Sequence, residues 1–75
     1  MIREFSENKM RQLALIDRAA RGDIDAAADL GEGYIKGSFG EKPNPVKALK
    51  WCRYAAKHGS IKAAEILREI EGRKD

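Results

Sequence analysis

The chain has 75 residues, enough for one small domain and too few for two independent cores. Hydrophobic residues make up 43% and charged residues 36%, with Ala frequent and Val and Thr nearly absent, which argues for helix and against an all-β fold. A net charge of +3 with both signs interspersed is no dense basic arm for nucleic acid; it permits an acidic partner without demanding one. The lone cysteine, Cys52, excludes an internal disulfide. No stretch reads as a signal peptide or a membrane span. The expected setting is therefore soluble, reducing and cytoplasmic, with no membrane partner.

The periodicity predicts four helices, at about 6–21, 24–36, 45–58 and 61–71, in one domain spanning 1–75. The first starts near Ser6, a candidate N-cap, has Met10, Leu13, Ala14 and Ile16 or Asp17 bounding an apolar side, and ends at Gly22. Asp23 can cap the second, in which Ile24, Ala27, Leu30 and Tyr34 recur at three- and four-residue spacing up to a glycine stop at Gly37. The segment "GSFGEKPN", residues 37–44, is a loop. Asn44 followed by Pro45 starts the third helix, because asparagine caps free amides and proline at the first position loses no needed hydrogen bond. On that helix Ala48, Leu49, Trp51, Cys52, Ala55 and Ala56 share one side, while Lys47, Lys50, Arg53 and Lys57 gather on the other. Gly59 and Ser60 repeat the stop-and-cap pair, and Ile61, Ala64, Leu67 and Ile70 mark the last helix.

Sliding the chain along itself by 37 positions places Ala19, Gly22, Ile24, Ala26, Ala27 and Leu30 on Ala56, Gly59, Ile61, Ala63, Ala64 and Leu67. A shift of this size is that of helical-hairpin solenoids, whose units bury their apolar faces against one another. The order Ala26, Leu30-Gly31, Tyr34, Gly37, a loop, then Lys47-Ala48, Trp51, Ala55-Ala56, Gly59, Ala63 and Leu67 resembles the Sel-one-like repeat, a relative of the tetratricopeptide repeat. The likeness covers one full repeat from about Asp25 to Ser60 with half-units on either side; Asn44-Pro45 stands where that family usually has an acidic residue before its second helix. The resemblance implies an all-α fold of four antiparallel helices in a short solenoid. It also implies structural roles for Gly31 at a close helix approach, Gly37 and Gly59 as stops, and Tyr34, Trp51, Ala55 and Ala56 as packing positions. Gly33 falls at a freely variable place, costing up to about 1 kcal/mol relative to alanine if exposed.

The glycine-rich "LGEGYIKG", residues 30–37, closes a helix instead of following a strand and opening one, so it does not read as a phosphate loop. Catalytic groups are sparse. His58, the sole histidine, falls at a helix C-terminus, where exposure beside the dipole is expected. Cys52 lies on the apolar arc and reads as a small buried hydrophobe, although Lys50 and Arg53 could activate it if exposed. No Cys–His pair stands at ligand spacing, so neither metal nor cofactor is expected, and the chain reads as no enzyme. Some members of the resembled family are linked to antibiotic-ring binding or cleavage, but those are longer, disulfide-bridged, exported chains.

The expected activity is protein binding, as a small adaptor, regulator or inhibitor docking on a larger protein. The candidate contacts are Lys47, Lys50, Arg53, Tyr54 and Lys57, extended by Lys36, Lys42 and Lys62, together with Phe39. Phe39 sits in the Gly-flanked loop, where it must either fold back or protrude. Ile2, Phe5 and Met10 could cap the open end of the stack or bind a second copy, giving a homodimer. The alternative activity is that of a small nucleic-acid-associated factor using the basic face of the third helix.

Overall fold

Short-range capping chemistry sets the helix limits. The computed structural model describes residues 7–72, so Ile2, Phe5 and the proposed cap Ser6 lie outside the described residues. Four helices follow in order, α1 (Glu7–Ala20), α2 (Ile24–Lys36), α3 (Pro45–Lys57) and α4 (Ile61–Gly72), with no strand among the described residues. Asp23 accepts from the Ala26 amide at 3.1 Å, Asn44 from Lys47 at 3.1 Å and Ser60 from Ala63 at 3.1 Å, each satisfying an amide that the first helical turn leaves free. Gly37 ends α2 at φ 70°, where a Cβ would press on the Glu41 carbonyl.

The 37-residue shift recurs in the backbone bonds. Gly22 donates to Ala19 at 3.0 Å and Gly59 to Ala56 at 3.0 Å; Asp23 donates to Arg18 at 3.0 Å and Ser60 to Ala55 at 2.9 Å. Gly22 and Gly59 adopt φ 99° and 101°, so both turns are closed by the same left-handed residue. The chain is thus two helix–turn–helix units with equivalent corners.

α2 is the central element. It packs against α1, α3 and α4, α3 also packs against α4, and α1 touches α2 alone. Its buried residues are mostly small, Ala26, Ala27, Ala28, Gly31 and Gly33, with Leu30 and Tyr34 as the larger pieces. Across from them lie Ala48, Cys52 and Ala55 of α3 and Ala63 of α4, so the largest fully buried side chains are only Leu30 and Cys52. Small residues bring backbones close but supply little apolar area each. Half-buried Leu15, Ile16, Trp51, Ile66, Leu67 and Ile70 pack around this core and add larger apolar side chains to it.

Two helices keep only part of their expected apolar side inward: Ile16 of α1 and Leu67 and Ile70 of α4 pack against the core, and the other expected residues do not. On α1 the buried residues are Gln12 and Ala19, with Leu15 and Ile16 packed beside them, while Met10 and Leu13 remain 58% and 45% exposed and Ala14 is also exposed. The inward stripe contains a glutamine, which hydropathy discards; its Nε2 donates to the Tyr34 hydroxyl at 3.0 Å, while its Oε1 is buried with no hydrogen-bond partner among the described residues. On α4, Ala63 is buried and Ile66, Leu67 and Ile70 are half-buried, whereas Ile61 is 76% exposed and Ala64 is exposed.

The loop resolves Phe39 against protrusion. It is 5% exposed, folded under the loop with its ring edge-on to Tyr34 at a centroid distance of 5.4 Å. A Cβ on Gly33 would overlap that ring. Gly33 is therefore buried and space-limited, and Phe39 is no protruding anchor but lies folded under the loop. Gly33→Ala is expected to lower stability by about 1–3 kcal/mol, as overpacking does. An exposed helical glycine would instead gain up to about 1 kcal/mol on the same change, so the sign of the shift in urea unfolding followed by circular dichroism separates the two.

Candidate interaction surface

Charge is sorted by helix. α2 carries Asp25, Asp29 and Glu32 against Lys36, and α4 carries Glu65, Glu69 and Glu71 against Lys62 and Arg68. α3 carries Lys47, Lys50, Arg53 and Lys57 and no carboxylate. Because residues three and four apart share a helical face, Lys47, Lys50, Arg53, Tyr54 and Lys57 present one outward surface, and all five are exposed. Val46, 78% exposed, adds an apolar contact to it.

These side chains are not equally available. Lys47 Nζ stands 5.5 Å from the centroid of the Tyr34 ring, at the seam with α2. Arg53 reaches Glu71 at 3.5 Å in an exposed pair, a contact that is weak and screened. Tyr54 rests edge-on to Trp51 with centroids 6.3 Å apart and against the His58 ring at 4.6 Å, which positions its ring on the surface. Lys50 and Lys57 have no carboxylate partner among the described residues. His58 is exposed at the end of α3, where its backbone N–H donates to Ala55 at 3.1 Å.

Lys36 and Lys62 do not extend this surface. Lys62 lies 2.6 Å from Asp29 and 2.8 Å from Glu32, and Lys36 lies 3.1 Å from Glu32, so both are spent in a cluster joining α2 to α4. The composition shows the lysines but not the Lys62–Asp29 pairing across 33 positions. Hydrogen bonds from Lys62 and then Lys36 hold the Glu32 carboxyl below its ordinary value, and those to Asp29 and Glu32 push Lys62 up to about 12. At α1–α2, the Ala26 amide and then the Arg18 guanidinium hold Asp23 down in the same way.

Chemistry is scarce. Cys52 is wholly buried, and burial followed by the Glu32 charge pushes its thiol up, away from the reactive thiolate that nearby cations would favour if it were exposed. No group of three or more His, Cys, Asp or Glu is placed to hold a metal among the described residues. No helix there is long and apolar enough to cross a membrane.

Two grooves flank α2. The larger, about 460 Å³, runs between α1 and α2 over Ala14, Leu15, Gly33 and Phe39, with Arg11, Arg18, Asp29, Glu32 and Lys36 on its rim. The smaller, about 290 Å³, lies between α2 and α4 over Ile35 and Ile66, beside the Glu32 and Lys62 cluster. The sequence reading missed the larger groove because it set Met10 and Leu13 on the apolar side of α1 and left out Leu15; the signal that could have found it is the matched spacing of 11/14/15/18 and 29/32/33/36.

No protein-family model, curated protein or solved structure matches the chain. The surfaces must be interpreted on their own chemistry.

The cluster makes stability sensitive to acid. A carboxyl whose folded value is lowered contributes stability above its unfolded value, which for glutamate is near 4.5, and that contribution is lost as pH falls through the folded value. In Lys62→Met the Glu32 titration midpoint, followed by carboxyl NMR, is expected to move up toward 4.5 while Lys36 retains part of the shift. An unchanged midpoint would remove Lys62 as the main cause.

Proposed function

We propose that the protein is a non-catalytic binding module that docks on a larger protein through the outward face of α3, acting as a small adaptor, regulator or inhibitor in the cytoplasm. The observation that carries this reading is a helix with four cations and no carboxylate, exposing Lys50, Tyr54 and Lys57 side by side. An acidic surface on the partner complements it. Lysines at the rim speed encounter, and Tyr54, held by Trp51 and His58, is the aromatic anchor. The non-catalytic part of the proposal draws its support from the only cysteine being buried with its thiol pushed up and from the only histidine being exposed at the end of α3.

The scaffold in this proposal is a short Sel-one-like, tetratricopeptide-like solenoid of antiparallel helices. Its support is the repeated pair of corners 37 positions apart, together with opposed pairings across α2 and α3. Gly31 meets Ala48 and Cys52, while Tyr34, further along α2, meets Lys47, earlier on α3.

The test compares capture of a binding protein by the wild-type chain with capture by the Lys50→Glu/Lys57→Glu variant, followed by titration of the purified partner. Charge reversal should weaken binding about tenfold or more and flatten its salt dependence, and Tyr54→Ala should cost a similar factor. If no protein is captured and the same reversals abolish a low-salt shift of DNA or RNA, the nucleic-acid alternative replaces this reading.

A further inference from the structure

The internal repeat makes the α1–α2 groove interpretable. Added to 37, its α1 residues Arg11, Ala14, Leu15 and Arg18 become Ala48, Trp51, Cys52 and Ala55 of α3. Ala48, Cys52 and Ala55 are wholly buried, and α2 packs against both α3 and α4. Ala48 and Cys52 face Gly31 directly. The surface that the second unit uses to seat α2 is thus the surface that the first unit leaves open as a groove of about 460 Å³. A volume of this size falls within the range of formed binding clefts.

We infer that the α1–α2 groove seats an amphipathic helix of another protein, one with a small residue against Leu15 and a carboxylate against Arg11. This rests on the reading of the chain as a protein-binding module and adds a second, separately testable contact to it. The charge at the site supplies the chemistry. Arg18 is bound to Asp23 at 2.9 Å, Lys36 to Glu32, and Asp29 and Glu32 to Lys62, so these rim charges are already matched within the fold. Arg11 has no ion-pair partner among the described residues, and it stands at the rim above Leu15. A guest carboxylate there would pair with a cation that the fold leaves unmatched. The floor of Ala14, Leu15, Gly33 and Phe39 is apolar and low, so a guest backbone can approach only if its facing residue is small.

A second copy does not fit this seat. The repeat-equivalent of α2 is α4, and where α2 has Gly31, α4 has Arg68. Arg68 would meet Arg11 and Leu15, placing a long cation where a missing side chain is needed and beside a like charge.

The probe is a stapled helical peptide of the α2 sequence, residues 24–36, carrying Tyr34→Glu, with a Tyr34→Lys peptide as its counterpart. By the repeat, position 34 of the guest falls beside Met10 and Arg11, because Tyr34 itself meets Lys47. In amide NMR of the full chain, the glutamate peptide should perturb residues 11–18 and 29–36. Its affinity should fall about tenfold with Arg11→Glu and be lost with Ala14→Trp, two exposed sites where the fold should survive. Lys50→Glu/Lys57→Glu should leave peptide binding unchanged. The inference is overturned if millimolar peptide leaves the groove unperturbed, if the lysine peptide binds equally, if the changes fall instead on Ala48 and Cys52 by exchange with α2, or if the free chain self-associates through Arg11 and Ala14. A vacant groove with intact capture through α3 sinks this inference alone; a seated peptide with no capture through α3 sinks the earlier reading alone.

Discussion

The close approach of α2 to α3 at Gly31 governs the rest of the structure. A Cβ added there would overlap Cys52 Sγ and come within 3.4 Å of the Cys52 backbone nitrogen and 3.5 Å of the Ala48 carbonyl. The thiol occupies the space the glycine leaves, so a wholly buried cysteine fills this helix–helix seam as a small apolar side chain. Each atom contact is worth only about 0.1–0.2 kcal/mol, so this interface gains its strength from many small contacts made at short range. Since α2 touches every other helix, a shift of its axis away from α3 would move the floor of the α1–α2 groove and the Lys62 cluster together.

Gly33, two residues on, performs the same service for the loop. Its missing side chain admits the Phe39 ring, and Phe39 in turn meets Tyr34, whose hydroxyl accepts from Gln12 on α1. Two glycines on nearly opposite faces of one helix therefore fix a helix on one side and a loop on the other. This also accounts for their cost in α2: helix propensity is sacrificed at two places to gain proximity at both.

The helix ends were legible because their causes are local. Asp23, Asn44 with Pro45, and the glycines at 22, 37 and 59 each act within a few residues, and the limits of α2 coincide with the reading. Which residues of α1 and α4 face inward was only partly legible, since each offers more than one apolar stripe and the choice depends on a partner far along the chain. Gln12 illustrates the point: its amide donates to the distant Tyr34 hydroxyl. The basic face of α3 was readable from its lack of carboxylates. The loss of Lys62 from that face was not, because Asp29 and Glu32 become its partners only after α2 and α4 are packed, whereas the Lys36–Glu32 pair is a four-residue spacing within α2 that the sequence does show. Charge is thus paired where α2 meets α4, while Lys50 and Lys57 on α3 and Arg11 on α1 have no ion-pair partner among the described residues, and the proposed contacts arise from these.

The most direct test of the central contact is a stability cycle of Gly31→Ala, Cys52→Ala and the double variant, measured by urea unfolding. If Cys52 Sγ fills the space of the missing Cβ, Gly31→Ala should cost about 1–3 kcal/mol alone and much less in the Cys52→Ala background, with a coupling of about 1 kcal/mol or more. Equal stabilisation by Gly31→Ala in both backgrounds, as at an open helical site, would contradict the account.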